Sequence, residues 1–223
     1  MTFSIIARDP ESASFGVAVC TAVPCVGALV PHAKSGVGAV ATQSYVNVDL
    51  GRDGLKLLGL GMSPQAALEG LLADDPGAAL RQVAAIDAQG RTFSYSGKEC
   101  VEWFGSREGT DYSVQGNMLA GQAVVDAMAD AFERAAGAPF SVRLLGALEA
   151  GQAAGGDKRG RQSAALLVTP AVVVRGAPSD FDPRAYALDI RVDEHPDPVP
   201  ELRRIFELLR KQAAEEAAAS EDR

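Results

Sequence analysis

The chain starts as a strand. Residues Thr2 to Ala7 (TFSIIA) are apolar and β-prone, Arg8-Asp9-Pro10-Glu11-Ser12 reads as a turn, and Ser14 to Thr21 (SFGVAVCT) has the composition of a second strand. Together they predict a hairpin that begins at the second residue. Chain termini ordinarily fray, so a strand that begins at once requires the terminus to be held inside the fold. Residue 2 is thereby an interior position, and the architecture has to be one that encloses it.

The rest of the chain alternates hairpins with pairs of helices. Gly36 to Tyr45 (GVGAVATQSY) is rich in small apolar residues and predicts a buried strand, after a short apolar run at Gly27 to Val30. Helices are predicted over Gly51 to Gly61 and Ser63 to Ala73, the second opened by Ser63-Pro64 as cap and first helical residue. Gln82 to Asp87 and Arg91 to Ser96 predict another hairpin, and Tyr112 to Gln115 a strand. Two further helices are expected at about Gly121 to Ala136 and Ser141 to Ala153. After them, Ser163 to Val168 and Val172 to Arg175 look like paired strands, and Tyr186 to Val192 alternates like another. A charged amphipathic helix runs from about Glu201, its end EEAAASEDR expected to be solvated. Hairpins precede helices and few units read as strand–helix–strand, so the expected class is α+β, with antiparallel sheets and helices packed outside. We divide the chain into a main domain over 1–195 and a C-terminal helical extension over 196–223.

Composition narrows the partners. Hydrophobic residues are 47% and aromatics only 6%, which allows a sizeable core built mainly from Ala, Val and Leu. A net charge of -8 argues against nucleic acid or an anionic membrane, both of which need a basic surface. No run is long and apolar enough for a membrane span, and MTFSIIARD has no secretory pattern. Three cysteines form no disulfide framework, so a reducing cytoplasm is the expected compartment. The expected partners are a small-molecule substrate and further copies of the chain.

Three places are candidates for chemistry. The first is Thr2. A hydroxyl needs a base to become a useful nucleophile, and at a mature N-terminus the chain's own α-amine, with an ordinary pKa of about 8, can serve. Removal of Met1 is the precondition. An ordinary β-branched strand residue is the plain alternative. The second is the loop Gly155 to Ser163 (GGDKRGRQS), where glycines let backbone amides face a ligand. There Arg159 or Arg161 could clamp a carboxylate, and Asp157 could orient the α-amine or an arginine. The third is Gln115-Gly116-Asn117, where the Asn117 amide could hold a tetrahedral oxyanion or simply cap the turn. Gln43, on the GVGAVATQSY strand, and Gln162 are further candidates for substrate binding. No zinc spacing, dinucleotide fingerprint or P-loop is found, so no metal and no cofactor are expected. Cys20 reads as core, and Cys25, after Pro24, as a loop thiol that could line a cleft.

MTFSIIARDP, SFGVAV, GVGAVATQSYVN, YSVQGNML and AGGDKRGRQSAALLV together resemble the bacterial domain of unknown function 1028 family, over about Thr2 to Val192. The resemblance implies a relative of the N-terminal-nucleophile (Ntn) hydrolases, a four-layer αββα sandwich with a Thr nucleophile at the mature N-terminus. Asp157, Arg159 and Gln162 match the family's polar loop, and Asn117 its Gln-Gly-Asn turn. The reading that follows is an amidohydrolase for a small amide or ureido compound, with Thr2, Asn117 and Asp157 as catalytic groups. A non-catalytic binding or assembly protein that keeps the same fold is the rival, and an enzyme using Cys25 a third.

Overall fold

A computed structural model describes residues 2–170 and 187–221. In chain order its strands and helices are β1 (Thr2–Arg8), β2 (Phe15–Thr21), β3 (Pro31–Lys34), β4 (Gly38–Ser44), α1 (Val48–Gly59), α2 (Pro64–Ala73), β5 (Arg81–Asp87) and β6 (Thr92–Ser96). There follow β7 (Gly105–Gly109), β8 (Tyr112–Asn117), α3 (Gln122–Arg134), α4 (Phe140–Ala153), β9 (Ser163–Val168), β10 (Leu188–Val192) and α5 (Pro198–Glu221). The opening hairpin forms as expected, with Thr2 opposite Thr21 and Arg8 opposite Phe15. The expected strand over 172–175 lies outside the described residues, as does Tyr186.

The strands make two antiparallel sheets, one ordered β10-β9-β2-β1-β8-β7 and the other β3-β4-β5-β6. Placing β1 in the middle of the larger sheet explains how the start of the chain is held: Thr2 has a strand on either side, Thr21 on one and Asn117 on the other. Successive strand residues face opposite sides of a sheet. Phe3, Ile5 and Ala7 join α3, α4 and α5 in one apolar cluster, with Met128, Phe132, Leu144, Leu148, Leu202 and Phe206 among its members. Ile6, Val17, Val19, Ala39, Ala41, Ala84 and Ile86 join the two sheets in a second. Val40, Val83 and Ala85 meet Leu50, Leu58, Leu68 and Leu72 of α1 and α2 in a third. The central strands are thus buried on both faces, which is why β1, β2, β5 and β9 read as nearly continuous apolar runs.

Several boundaries differ from the sequence reading, for local reasons. β3 is four residues long and starts with Pro31, and β7 is Gly-Ser-Arg-Glu-Gly. Both are edge strands, which proteins keep short and polar, so neither has an apolar signature to read. Residues Val26–Ala28 form one 3-10 turn. Helix α1 begins before Gly51 because the Asn47 side chain accepts from Asp49 N at 3.1 Å, an effective cap. The Ser63 cap on α2 is as expected, its hydroxyl accepting from Ala66 N at 3.2 Å. Helix α5 begins inside the Pro-rich segment, at Pro198. Its first half is anchored through Val199, Leu202 and Phe206, all buried, while its second half is exposed. Truncating Phe206 to Ala leaves a void in the first cluster and is expected to cost about 3–5 kcal/mol of stability, measured by chemical denaturation. A change below 1 kcal/mol would mean that α5 is not part of the main body.

Among the described residues, no helix is long and apolar enough to cross a membrane.

Candidate active site

The ends of β1, β2 and β8 meet at one end of the space between the sheets. Thr2 is 5% exposed, and its Oγ1 lies 3.2 Å from Thr21 Oγ1. Thr2, Asn117 and Arg159 line one cavity of about 230 Å³. Its apolar wall comes from Val23, Val26, Leu29, Val30 and Val46. The volume is below that of pockets for drug-sized ligands, so it suits a small metabolite. Two other lining residues, Ser44 and Met118, have φ of 70° and 52°, a left-handed backbone that non-glycine residues seldom adopt. Strained positions of this kind cost of order 1–3 kcal/mol and cluster where function requires a fixed geometry.

Toward Thr2 the apolar packing between the sheets gives way to buried amides and hydroxyls. Ser4 Oγ donates to Gln43 Oε1 at 2.8 Å, and Gln115 Nε2 donates to Ser4 Oγ at 2.6 Å. Gln43 Nε2 donates to Gln82 Oε1 at 2.8 Å and reaches Thr2 O at 3.4 Å. Asn117 Nδ2 donates to the same Gln82 Oε1 at 2.9 Å. Gln43, Gln82, Gln115 and Asn117 are all fully buried, and such groups persist only when hydrogen-bonded. The network locks the two sheets in register behind the cavity. Gln43 therefore stands behind the wall, touching Thr2 only through its carbonyl, and is not a lining residue. Gln82 has no signal in the sequence and Gln115 enters only as part of the Gln-Gly-Asn turn, since nothing in a strand's pattern distinguishes an inward glutamine that is paired across sheets.

The polar loop sits over the same end. Gly155 and Gly156 have φ of +114° and +52°, which turns the chain back so that Ala120 N donates to Gly156 O at 3.0 Å. The Asp157 side chain is fully buried. It accepts from Ala22 N at 3.1 Å, from Arg159 N at 2.8 Å and from Arg159 Nη2 at 3.2 Å. Of the two roles foreseen for Asp157, orienting an arginine is the one these bonds describe; it ties the end of β2 to the loop and holds Arg159 at the cavity. Arg161 instead pairs with Asp197 at 2.7 Å, next to the start of α5, and does not line the cavity. Gln162 contributes its backbone, N–H to Thr21 O and O to His195 N, each at 2.8 Å. The glycine amides expected to face a ligand are already used: Gly155 N, Gly156 N and Gly160 N donate to Gln152 O, Gly151 O and Asp157 O.

The thiols separate by environment. Burial, reinforced by the Asp157 charge, pushes Cys20 up to about 12, so it stays a protonated core thiol. Burial also raises Cys100. Cys25 is exposed, between two lining residues but not itself lining the cavity. Iodoacetamide on the native protein at pH 8 is expected to label Cys25 and spare Cys20 and Cys100, as read by peptide mass spectrometry. Labelling of Cys20 at the same rate would contradict the packing of β2.

No curated protein matches the chain. A crystal structure of a Silicibacter pomeroyi protein, assigned to family DUF1028, matches with a TM-score of 0.80 at 33% identity, over 92% of this chain and 88% of that one. Anbu (ancestral beta-subunit) from Yersinia bercovieri matches with a TM-score of 0.40 at 13% identity, over 95% and 96% of the two chains. The model of the family of unknown function DUF1028 covers residues 2–202, which include every strand of both sheets and the whole cavity wall. The chain belongs to the DUF1028 family.

Proposed function

We propose that the protein is an N-terminal-nucleophile amidohydrolase for a small amide or ureido compound, built as a four-layer αββα sandwich. The observation that carries this reading is the position of Thr2: first residue of a central strand, nearly buried, and on the wall of a small cavity. Once Met1 is removed, the Thr2 α-amine would take the proton from Oγ1 as the hydroxyl attacks the carbonyl carbon and return it to the leaving nitrogen as the C–N bond breaks; a water, deprotonated by the same amine, would then hydrolyse the Thr2 ester, releasing the acid and restoring the hydroxyl. Thr21 Oγ1, at 3.2 Å, is within reach to orient the Thr2 hydroxyl. With the loop glycine amides occupied, the oxyanion falls to Asn117 Nδ2, one of whose two hydrogens is on Gln82. Arg159, held by Asp157 at the cavity, supplies a cation for a substrate carboxylate, a role for which Arg161 is badly placed.

The test is hydrolysis by the purified full chain across a panel of small amides and ureido acids, read as ammonia release. Turnover that depends on Thr2 supports the reading; panel-wide inactivity of a protein lacking Met1 would overturn it. Self-association, expected from composition, is read by sedimentation of the same sample.

A further inference from the structure

The two ends of a side-chain amide differ by one atom and are assigned from their neighbours. Around Asn117 the neighbours leave no choice. Gln82 Nε2 lies 2.8 Å from Gly116 O and 3.4 Å from Gly105 O. A carbonyl only accepts, so this end of Gln82 must be the NH2 end and Oε1 must face Asn117. Gln43 is fixed in the same way, its Nε2 facing the carbonyls of Thr2 and Gln115 at 3.4 and 3.5 Å. Turning the Asn117 amide over would set its oxygen against Gln82 Oε1, two acceptors with no hydrogen between them. Asn117 Nδ2 therefore points to Gln82, and Oδ1, on a residue that lines the cavity, is left without a partner among the described residues.

Asn117 is fully buried, and Oδ1 has no hydrogen-bond partner among the described residues. Buried acceptors of this kind are rare and call for a donor. Asn117 is the residue directly opposite Thr2 in the β1–β8 ladder, and both line the cavity. A carbonyl compound whose carbon faces Thr2 Oγ1 would set its next substituent toward Asn117. An N–H there is the feature that separates an amide or urea from an ester or ketone.

We propose that the cavity selects small molecules by an N–H donor, a primary carboxamide or ureido nitrogen, accepted by Asn117 Oδ1, with Gln82 as the positioning residue that sets this polarity. The inference rests on reading the cavity as the amidohydrolase site. Val23, Val26 and Val30, which also line the cavity, suit a short aliphatic remainder.

The experiment is binding to the full-length Thr2→Ala variant, which removes turnover, measured by NMR shift perturbation with two probes of one shape. Isobutyramide carries the N–H donor, and methyl isopropyl ketone replaces its NH2 by CH3. Isobutyramide is expected to bind about tenfold more tightly or better, because the ketone leaves the acceptor unmet. Adding Asn117→Leu should shrink the difference to about twofold or less. Adding Gln82→Met, which frees the Asn117 amide to turn, should reduce it as well, and this variant decides the matter if Asn117→Leu does not fold. Equal binding of the two probes, binding of neither, or a preference that survives both substitutions overturns the inference. The two readings fail separately. Thr2-dependent hydrolysis without the N–H preference removes only this inference. An N–H preference in a wild-type protein that hydrolyses nothing removes only the catalytic one.

Discussion

Replacing Thr2 by Ala is expected to reduce amide hydrolysis by at least on the order of 10³-fold while leaving the fold intact. Removing a covalent nucleophile takes away the step on which the other groups act, so the loss is far larger than that of any single contact. The structural cost is small by comparison. Among the described residues the Thr2 hydroxyl makes one hydrogen bond, with Thr21 Oγ1 at 3.2 Å, and losing such a bond costs about 1 kcal/mol. Activity and stability should therefore separate, with turnover gone and the melting temperature nearly unchanged. Thr2→Ser keeps a hydroxyl at the same place and should keep measurable turnover. Because the proposed base is an α-amine, activity of the wild type should rise with pH as that amine loses its proton, around its ordinary value of about 8. A Thr2→Ala protein as active as wild type would leave the cavity as a binding site and favour the non-catalytic reading of the fold.

Asp157→Ala is expected to do the reverse and damage stability and site together. The carboxylate is fully buried and accepts three hydrogen bonds, two from backbone N–H groups and one from the Arg159 guanidinium. Ala would remove the acceptor of the Ala22 and Arg159 amides and the carboxylate that pairs with the Arg159 guanidinium. Removing one partner from a buried charged network costs about 3–5 kcal/mol. Here the guanidinium is 40% exposed, so water meets part of its loss, and about 3 kcal/mol is the expectation. Turnover at a fixed temperature should fall through a weaker hold on a substrate carboxylate, seen as a raised KM. Chemical denaturation and a KM measurement on the same sample check both. A variant with unchanged stability would mean that the loop over 155–162 is not fastened to β2 through Asp157.

How far the sequence could be read follows from what each signal encodes. Elements buried on both faces announce themselves, since β1, β2, β5 and β9 must be apolar to exist where they do, and caps such as Ser63 carry their own chemistry. The edge strands β3 and β7 were invisible because an edge has to be short or polar. Thr2 stood out because a strand beginning at residue 2 has few explanations. Asn117 and Arg159 are singled out in the sequence by type and position, and they line one cavity with Thr2. Arg161 and Arg159 were indistinguishable in sequence; only the fold puts Asp197 beside the first and Asp157 beside the second. The buried amides of Gln43, Gln82 and Gln115 were hardest to read. Their pairing runs between sheets, over sequence separations that no local pattern records.

The most direct test of the account is the intact mass of the freshly purified wild-type protein whose amide hydrolysis has just been measured. The account predicts a mass lower than the full chain by one methionine residue, with activity in proportion to the processed fraction, because only that fraction has an α-amine beside the Thr2 hydroxyl. A fully active preparation that retains Met1 would contradict it.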